Sequence, residues 1–340
     1  MISVGMDVSK DKINVCIGAN FKNPKKAKQL EFILKNNESD FPEFLKKLKK
    51  AGINEDVQVA MEPTGIYHMP IATWLYEHGF KVVMVNPFNM KHFALSEGFV
   101  SKNDKLDAQK LLSYVEKHEL LPWAPKNKEI KELCCILTRI NQLVAMRTEE
   151  KNRIGNSEFG LELQKRMDND IRPMINFINS EIKRLKADIE IILKSHPALL
   201  AERKRLANIP GIGKTTALAL VILFNEREYP NARHVVSFVG LVPKENESGT
   251  HRGETPITKK GPAQIRAYLY MAAQAAARSN PLFKEKYQKQ CLLGKNKRSQ
   301  LCIIMRKLLV VSYSVWRNQT VFDCDYEKKR RAAFMLKRAV

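Results

Sequence analysis

The sequence has no apolar run that could span a bilayer. Apolar runs such as Ala217–Phe224 and Leu308–Val311 fall far short of the roughly 20 residues needed. The opening Met-Ile-Ser-Val-Gly-Met-Asp carries no basic segment and no cleavage site, so a secretory leader is not expected. None of the six cysteines, Cys16, Cys134, Cys135, Cys291, Cys302 and Cys324, forms a CxxC pair, and no histidine stands at zinc-finger spacing. Free thiols in a reducing cytoplasm are the expectation. No GxGxxG follows the first apolar run, which argues against a dinucleotide-binding fold. Acidic residues are also short: 36 Asp and Glu stand against 58 Lys and Arg.

That imbalance is uneven. Residues 1–120 carry a net charge of +2, and almost all of the +22 lies beyond them. A basic body behind a near-neutral front points to a polyanionic partner, nucleic acid before any membrane surface.

A length of 340 residues predicts two or three domains. The first part alternates strand and helix signals: strands at 2–7, 12–17, 29–34, 57–61 and 80–85, and helices at 41–51, 66–78 and 105–115. An antiparallel opening followed by strand–helix units predicts an α/β domain with a mixed sheet, in the order of a ribonuclease H-like fold, over residues 1–125. Pro122 and Pro125 mark its end. A helix is expected over 129–153. Pro173 is expected to open another, with Ile175, Ile178, Ile182, Leu185, Ile189 and Ile192 in an a/d seam. Residues 126–206 thus read as long helices, either an antiparallel hairpin or an oligomerising coiled coil. A mainly helical domain is expected over 207–326, and a basic tail over 327–340.

Two features carry chemistry. Asp7 and Glu62 end otherwise apolar strands, and Asp104 and Asp107 lie one turn apart at a helix start. Clustered carboxylates repel unless a cation lies between them, and hard oxygens suit Mg²⁺ or Mn²⁺. Pro210-Gly211-Ile212-Gly213-Lys214-Thr215 approaches a P-loop, but Asn208 stands where the leading glycine belongs. The competing readings are a helix-hairpin-helix turn, in which Gly211, Gly213, Lys214 and Thr215 receive a DNA phosphate, and a plain interhelical turn. A polar loop then brings Ser248 beside Gly249, with Arg252, Lys259, Lys260 and Arg266 near in sequence. A serine among cations is a candidate for attack on phosphorus.

Met6-Asp7-Val8-Ser9-Lys10, Glu62-Pro63-Thr64-Gly65 and Lys102-Asn103-Asp104-Lys105-Leu106-Asp107-Ala108 resemble the DEDD motifs of the IS110 family of bacterial insertion-sequence transposases. Val239-Gly240-Leu241-Val242-Pro243, Ser248-Gly249, Lys259-Lys260-Gly261 and Arg266 resemble that family's C-terminal domain. The resemblance spans nearly the whole chain. It implies a RuvC-like domain binding Mg²⁺ through Asp7, Glu62, Asp104 and Asp107, then a coiled coil, then a helical transposase domain. It implies a serine nucleophile that links covalently to DNA; Ser248 fits, with Ser237 and Thr250 as alternatives. It further implies a guide RNA from the element, and a homo-oligomer, dimer or tetramer, that shares active sites between protomers. A metal-dependent, structure-selective nuclease using activated water is the alternative reading.

Overall fold

The computed structural model describes residues 2–18, 30–51, 53, 56–99, 103–125, 127–154, 161–244, 247–248, 251–252, 255–293 and 296–325. The chain divides into two compact units, Met1–Pro125 and Lys126–Val340.

In the first unit, β1 (Ile2–Val8), β2 (Lys12–Ile17) and β3 (Leu30–Lys35) form an antiparallel meander. Helix α1 (Pro42–Lys50) then leads to β4 (Val57–Met61), α2 (Met69–Glu77) and β5 (Lys81–Met84). The sheet order is β3-β2-β1-β4-β5, with β1, β4 and β5 parallel. This is the mixed sheet expected from the pattern. Alternation along β1 and β2 sends Val4, Met6, Val8, Ile13, Val15 and Ile17 to one face, where they pack with Phe41, Phe44, Leu48, Ile71 and Leu75 of the α1–α2 side.

Two helices cover the other face: α3 (Pro87–Ser96) and α4 (Asp104–Lys117). Helix α3 is absent from the sequence-based expectation, which ends its fifth strand at residue 85 and places the next helix at 105–115. Asn86 instead caps the helix, its side chain accepting from the Phe88 amide, with Pro87 in the first turn. Helix α2 begins at Met69 rather than at 66, because Gly65 adopts φ 53° and residues 65–68 form turns.

In the second unit, α5 (Lys128–Arg153) packs along α6 (Leu161–Ser195). Pro173 does not open a helix; it lies inside α6. The proline removes one amide donor; it and Asn169, whose carbonyl loses that donor, are both exposed to solvent. Ile178, Ile182, Leu185 and Ile189 are buried against Ile130, Leu133, Leu137, Ile140 and Leu143 of α5. The seam therefore closes within the chain. It ends on fully buried Leu193, with Ile192 only half-buried.

Helix α7 (Pro197–Ala207) follows, tied to α6 by the buried Arg203, whose guanidinium donates to Glu190 at 2.6 and 2.7 Å. Helix α8 (Lys214–Asn225) is apolar all round, with every residue from Thr216 to Phe224 buried. It serves two cores: Leu218, Ala219 and Ile222 face the α5–α6 pair, and Ala217, Leu220, Val221 and Phe224 face the later helices. After it come α9 (Ala232–Val239), a hairpin of β6 (Glu247–Ser248) and β7 (His251–Arg252), α10 (Ala263–Ser279), α11 (Pro281–Leu292) and α12 (Lys297–Arg317). Sequence patterning missed α9 and α11; Asn231 and Asn280 cap them with side-chain oxygens. No described helix is long and apolar enough to cross a membrane. The basic tail expected at 327–340 falls outside the described residues.

Candidate metal centre and nucleic-acid interface

The fold draws four distant acids toward one place. Met6 pairs with Met61 across parallel β1 and β4, so Asp7 and Glu62 occupy the next step at the carboxyl ends of two central strands. Thr64 fastens the loop after β4 to β1, its hydroxyl donating to Val8 O at 2.9 Å. Asn103 caps α4, its side chain accepting from the Leu106 amide at 2.8 Å. That cap sets Asp104 and Asp107 in the first helical turn, where the helix dipole favours negative charge.

Gly5 decides how close α4 can come, a role that sequence reasoning overlooked. A Cβ at Gly5 would fall 2.1 Å from Ala108 O and 2.6 Å from Leu112 N, so only glycine admits the helix backbone onto β1. A glycine inside a strand was the available signal.

Asp7 registers the convergence. Its pKa is raised from 3.8 to about 6, first by burial, then by the negative charges of Asp107, Asp104 and Glu62, with Lys12 opposing. Two lysines offset part of the charge. Lys12 pairs with Asp104 at 2.7 Å, and the buried Lys110 pairs with Asp107 at 2.7 Å. Among the described residues, the one acidic trio with ligand atoms inside 4.8 Å is Asp323, Cys324 and Asp325, so the four site carboxylates stand wider than that. The donor set, hard carboxylate oxygens with a mutual repulsion that a cation would relieve, fits a divalent ion of the Mg²⁺ class.

In the second unit, the turn before α8 has no strand ahead of it. It joins α7 to α8, which removes the P-loop reading. Gly211 has φ 101°, and a Cβ there would lie 2.5 Å from Ala276 Cβ, so its conformation and close packing against α10 both require glycine. Gly213, Lys214 and Thr215 are exposed at the α8 N-terminus, where free amides can meet an anion.

A model of the DEDD transposase domain matches residues 4–157, and one for the "Transposase IS116/IS110/IS902 family" matches residues 203–288. The chain belongs to the IS110 family of transposases. A pilin gene-inverting protein of Moraxella lacunata is 29% identical over 329 residues, covering 94% of this chain and 97% of that protein. The transposase of insertion element IS1111A from Coxiella burnetii is 23% identical, covering 72% of this chain and 74% of its own length. Among solved structures, Thermus thermophilus RuvC bound to a Holliday junction aligns with 36% of this chain and all of its own, at 13% identity and TM-score 0.27.

The remaining candidate residues of this transposase sit on a small backbone frame. Lys259 N donates to Gly240 O, Thr258 N to Val242 O and Lys244 N to Pro256 O, and these bonds carry the β6–β7 hairpin. Within that hairpin Ser248 pairs in register with His251, and Glu247 with Arg252. The expected polar loop thus includes a short strand pair. Ser237 lies exposed on α9, and Thr250 lies outside the described residues. Lys259 and Lys260 are exposed, Lys259 at φ 53°. Arg266 is a clamp: its guanidinium donates to Val239 O at 3.0 Å and Gly261 O at 2.9 Å, which assigns it to holding the loop.

Proposed function

We propose that this transposase cuts and rejoins the DNA strands of an insertion sequence. In this reading Asp7, Glu62, Asp104 and Asp107 hold Mg²⁺ or Mn²⁺, and Ser248 is the nucleophile. The observation that supports it most is the gathering of four acids from three chain segments around a half-buried Asp7 whose pKa they raise.

A divalent cation bound there would offset charge on the transferring phosphoryl group and on the leaving oxygen. The chain's own residues do the rest. The Ser248 hydroxyl gives up its proton to water, its Oγ bonds to phosphorus, and a deoxyribose oxygen departs. The phosphodiester is conserved as a protein–DNA ester. Attack by a deoxyribose hydroxyl of the second strand reverses the step, forming the new DNA linkage and returning the serine. Gly213, Lys214 and Thr215 at the α8 N-terminus, with Arg252, Lys259 and Lys260, would hold backbone phosphates without reading bases. Sequence choice would then fall to a structured RNA from the element, and the working form would be a homo-oligomer that shares its active sites.

The test uses the full-length protein, element-end DNA, the transcript of the element's non-coding end, and Mg²⁺. After denaturation, DNA attached to protein is expected. Ser248→Ala should abolish the adduct, and Asp7→Asn should abolish cleavage altogether. An adduct that survives in Ser248→Ala overturns the serine assignment. Free cleaved ends with no adduct would favour the hydrolytic nuclease.

A further inference from the structure

Asn14 sits directly opposite Asp7 in the antiparallel pairing of β1 with β2. Residues opposed in this way share a face, with Cβ atoms about 4.5–5.5 Å apart. The Asn14 side chain therefore lies on the α4 side of the sheet beside the carboxylate. It is only 3% exposed, and its Nδ2 is buried with no hydrogen-bond partner. A buried amide donor left unmade costs about 1–3 kcal/mol, and a strand full of apolar residues gives no reason to keep one. Leucine has nearly the same shape and would avoid that cost.

Asn14 lines a cavity of about 310 Å³ with Cys16, Glu31, Ile33, Lys105 and Ala108, between the α4 N-terminus and the β2–β3 strands. Lys105 and Ala108 bring the first turns of α4, the helix that carries Asp104 and Asp107, to the wall of this space. On the other flank, Gln109 of α4 bonds to Glu31 of β3, which fixes the far wall.

We propose that Asn14 is a positioning residue for the metal centre: its Nδ2 donates to the Asp7 oxygen that does not face the cation. The inference rests on the carboxylate reading above. A carboxylate that binds a metal through one oxygen leaves the other with lone pairs aimed away from the ion. A neighbouring donor there fixes the carboxylate's orientation and favours its ionised form. Asn14 supplies an unused donor at that place.

The experiment measures Mn²⁺ binding to the full-length protein by calorimetry, without DNA and hence without turnover. Wild type is compared with Asn14→Leu, which keeps shape and removes the donor, and with Asn14→Ser, which retains a shorter donor. The Leu variant is expected to bind Mn²⁺ about 10–100-fold more weakly with an unchanged or higher melting temperature, and Ser to recover part of the loss. Binding by Asn14→Leu within twofold of wild type overturns the proposal. No Mn²⁺ uptake by wild type overturns the carboxylate reading itself, and this inference with it. A second measurement needs no stable variant: in ¹⁵N-asparagine-labelled wild type, one buried side-chain NH₂ pair should move on Mg²⁺ addition. If no asparagine amide moves while Mg²⁺ binds, the proposal fails.

Discussion

The carboxylate cluster makes a prediction about stability that does not depend on catalysis. In the metal-free protein Asp7 titrates near 6 rather than 3.8, because burial and three neighbouring acids oppose its charge. Below pH 3.8 the carboxyl is protonated in both folded and unfolded chains, and no penalty exists. As pH rises through 3.8 the unfolded chain ionises first, so the folded state loses stability progressively until about pH 6, after which the penalty is constant. At full burial a difference of this size amounts to roughly 3 kcal/mol. Asp7 is only about half-buried, and solvent screening reduces the expected effect to about 1–1.5 kcal/mol. Asp7→Asn removes the charge and keeps the shape. Without metal at pH 8, the variant should melt roughly 3–6 °C above wild type in calorimetry. The gain should shrink as pH falls from 6 toward 4. With millimolar Mg²⁺ the order should narrow or reverse, because wild type gains binding energy that the variant has lost. Equal melting temperatures at pH 8, or a gain that persists undiminished at pH 4, would refute the electrostatic reasoning.

Two glycines separate packing from chemistry. Gly5→Ala should cost about 1–3 kcal/mol in urea unfolding, since its Cβ meets the Ala108 carbonyl, and should weaken Mn²⁺ binding by displacing Asp104 and Asp107 from Asp7. Gly211→Ala should cost about 2–4 kcal/mol through its positive φ and its contact with Ala276, yet leave Mn²⁺ binding by the first unit unchanged.

Much of the first unit was legible because its signals are local. Alternation in β1 and β2, the apolar run of β4 and the acids at two strand ends all lie within short windows of sequence. What was missed was also local, but of another kind. Asn86, Asn231 and Asn280 are helix caps, and none of them entered the sequence-based expectation as the start of a helix. Pro173 failed in the opposite sense: a residue that usually starts or stops a helix lies inside one, on a solvent-exposed face.

Residue chemistry and spacing determined that Asp7, Glu62, Asp104 and Asp107 are a candidate cation site, and that the positive charge gathers after residue 120. They also carried the resemblance to the IS110 transposases. Only the tertiary structure decided the rest, because it turns on which atoms meet. The heptad seam of α6 closes against α5 within the chain, although its periodicity suits a partner molecule equally well. Arg266 spends its charge on two backbone carbonyls, which its place in a basic segment does not reveal. Gly5 and Asn14 look ordinary in a strand; the approach of α4 makes one indispensable, and the register of β2 sets the other's unpaired amide beside Asp7.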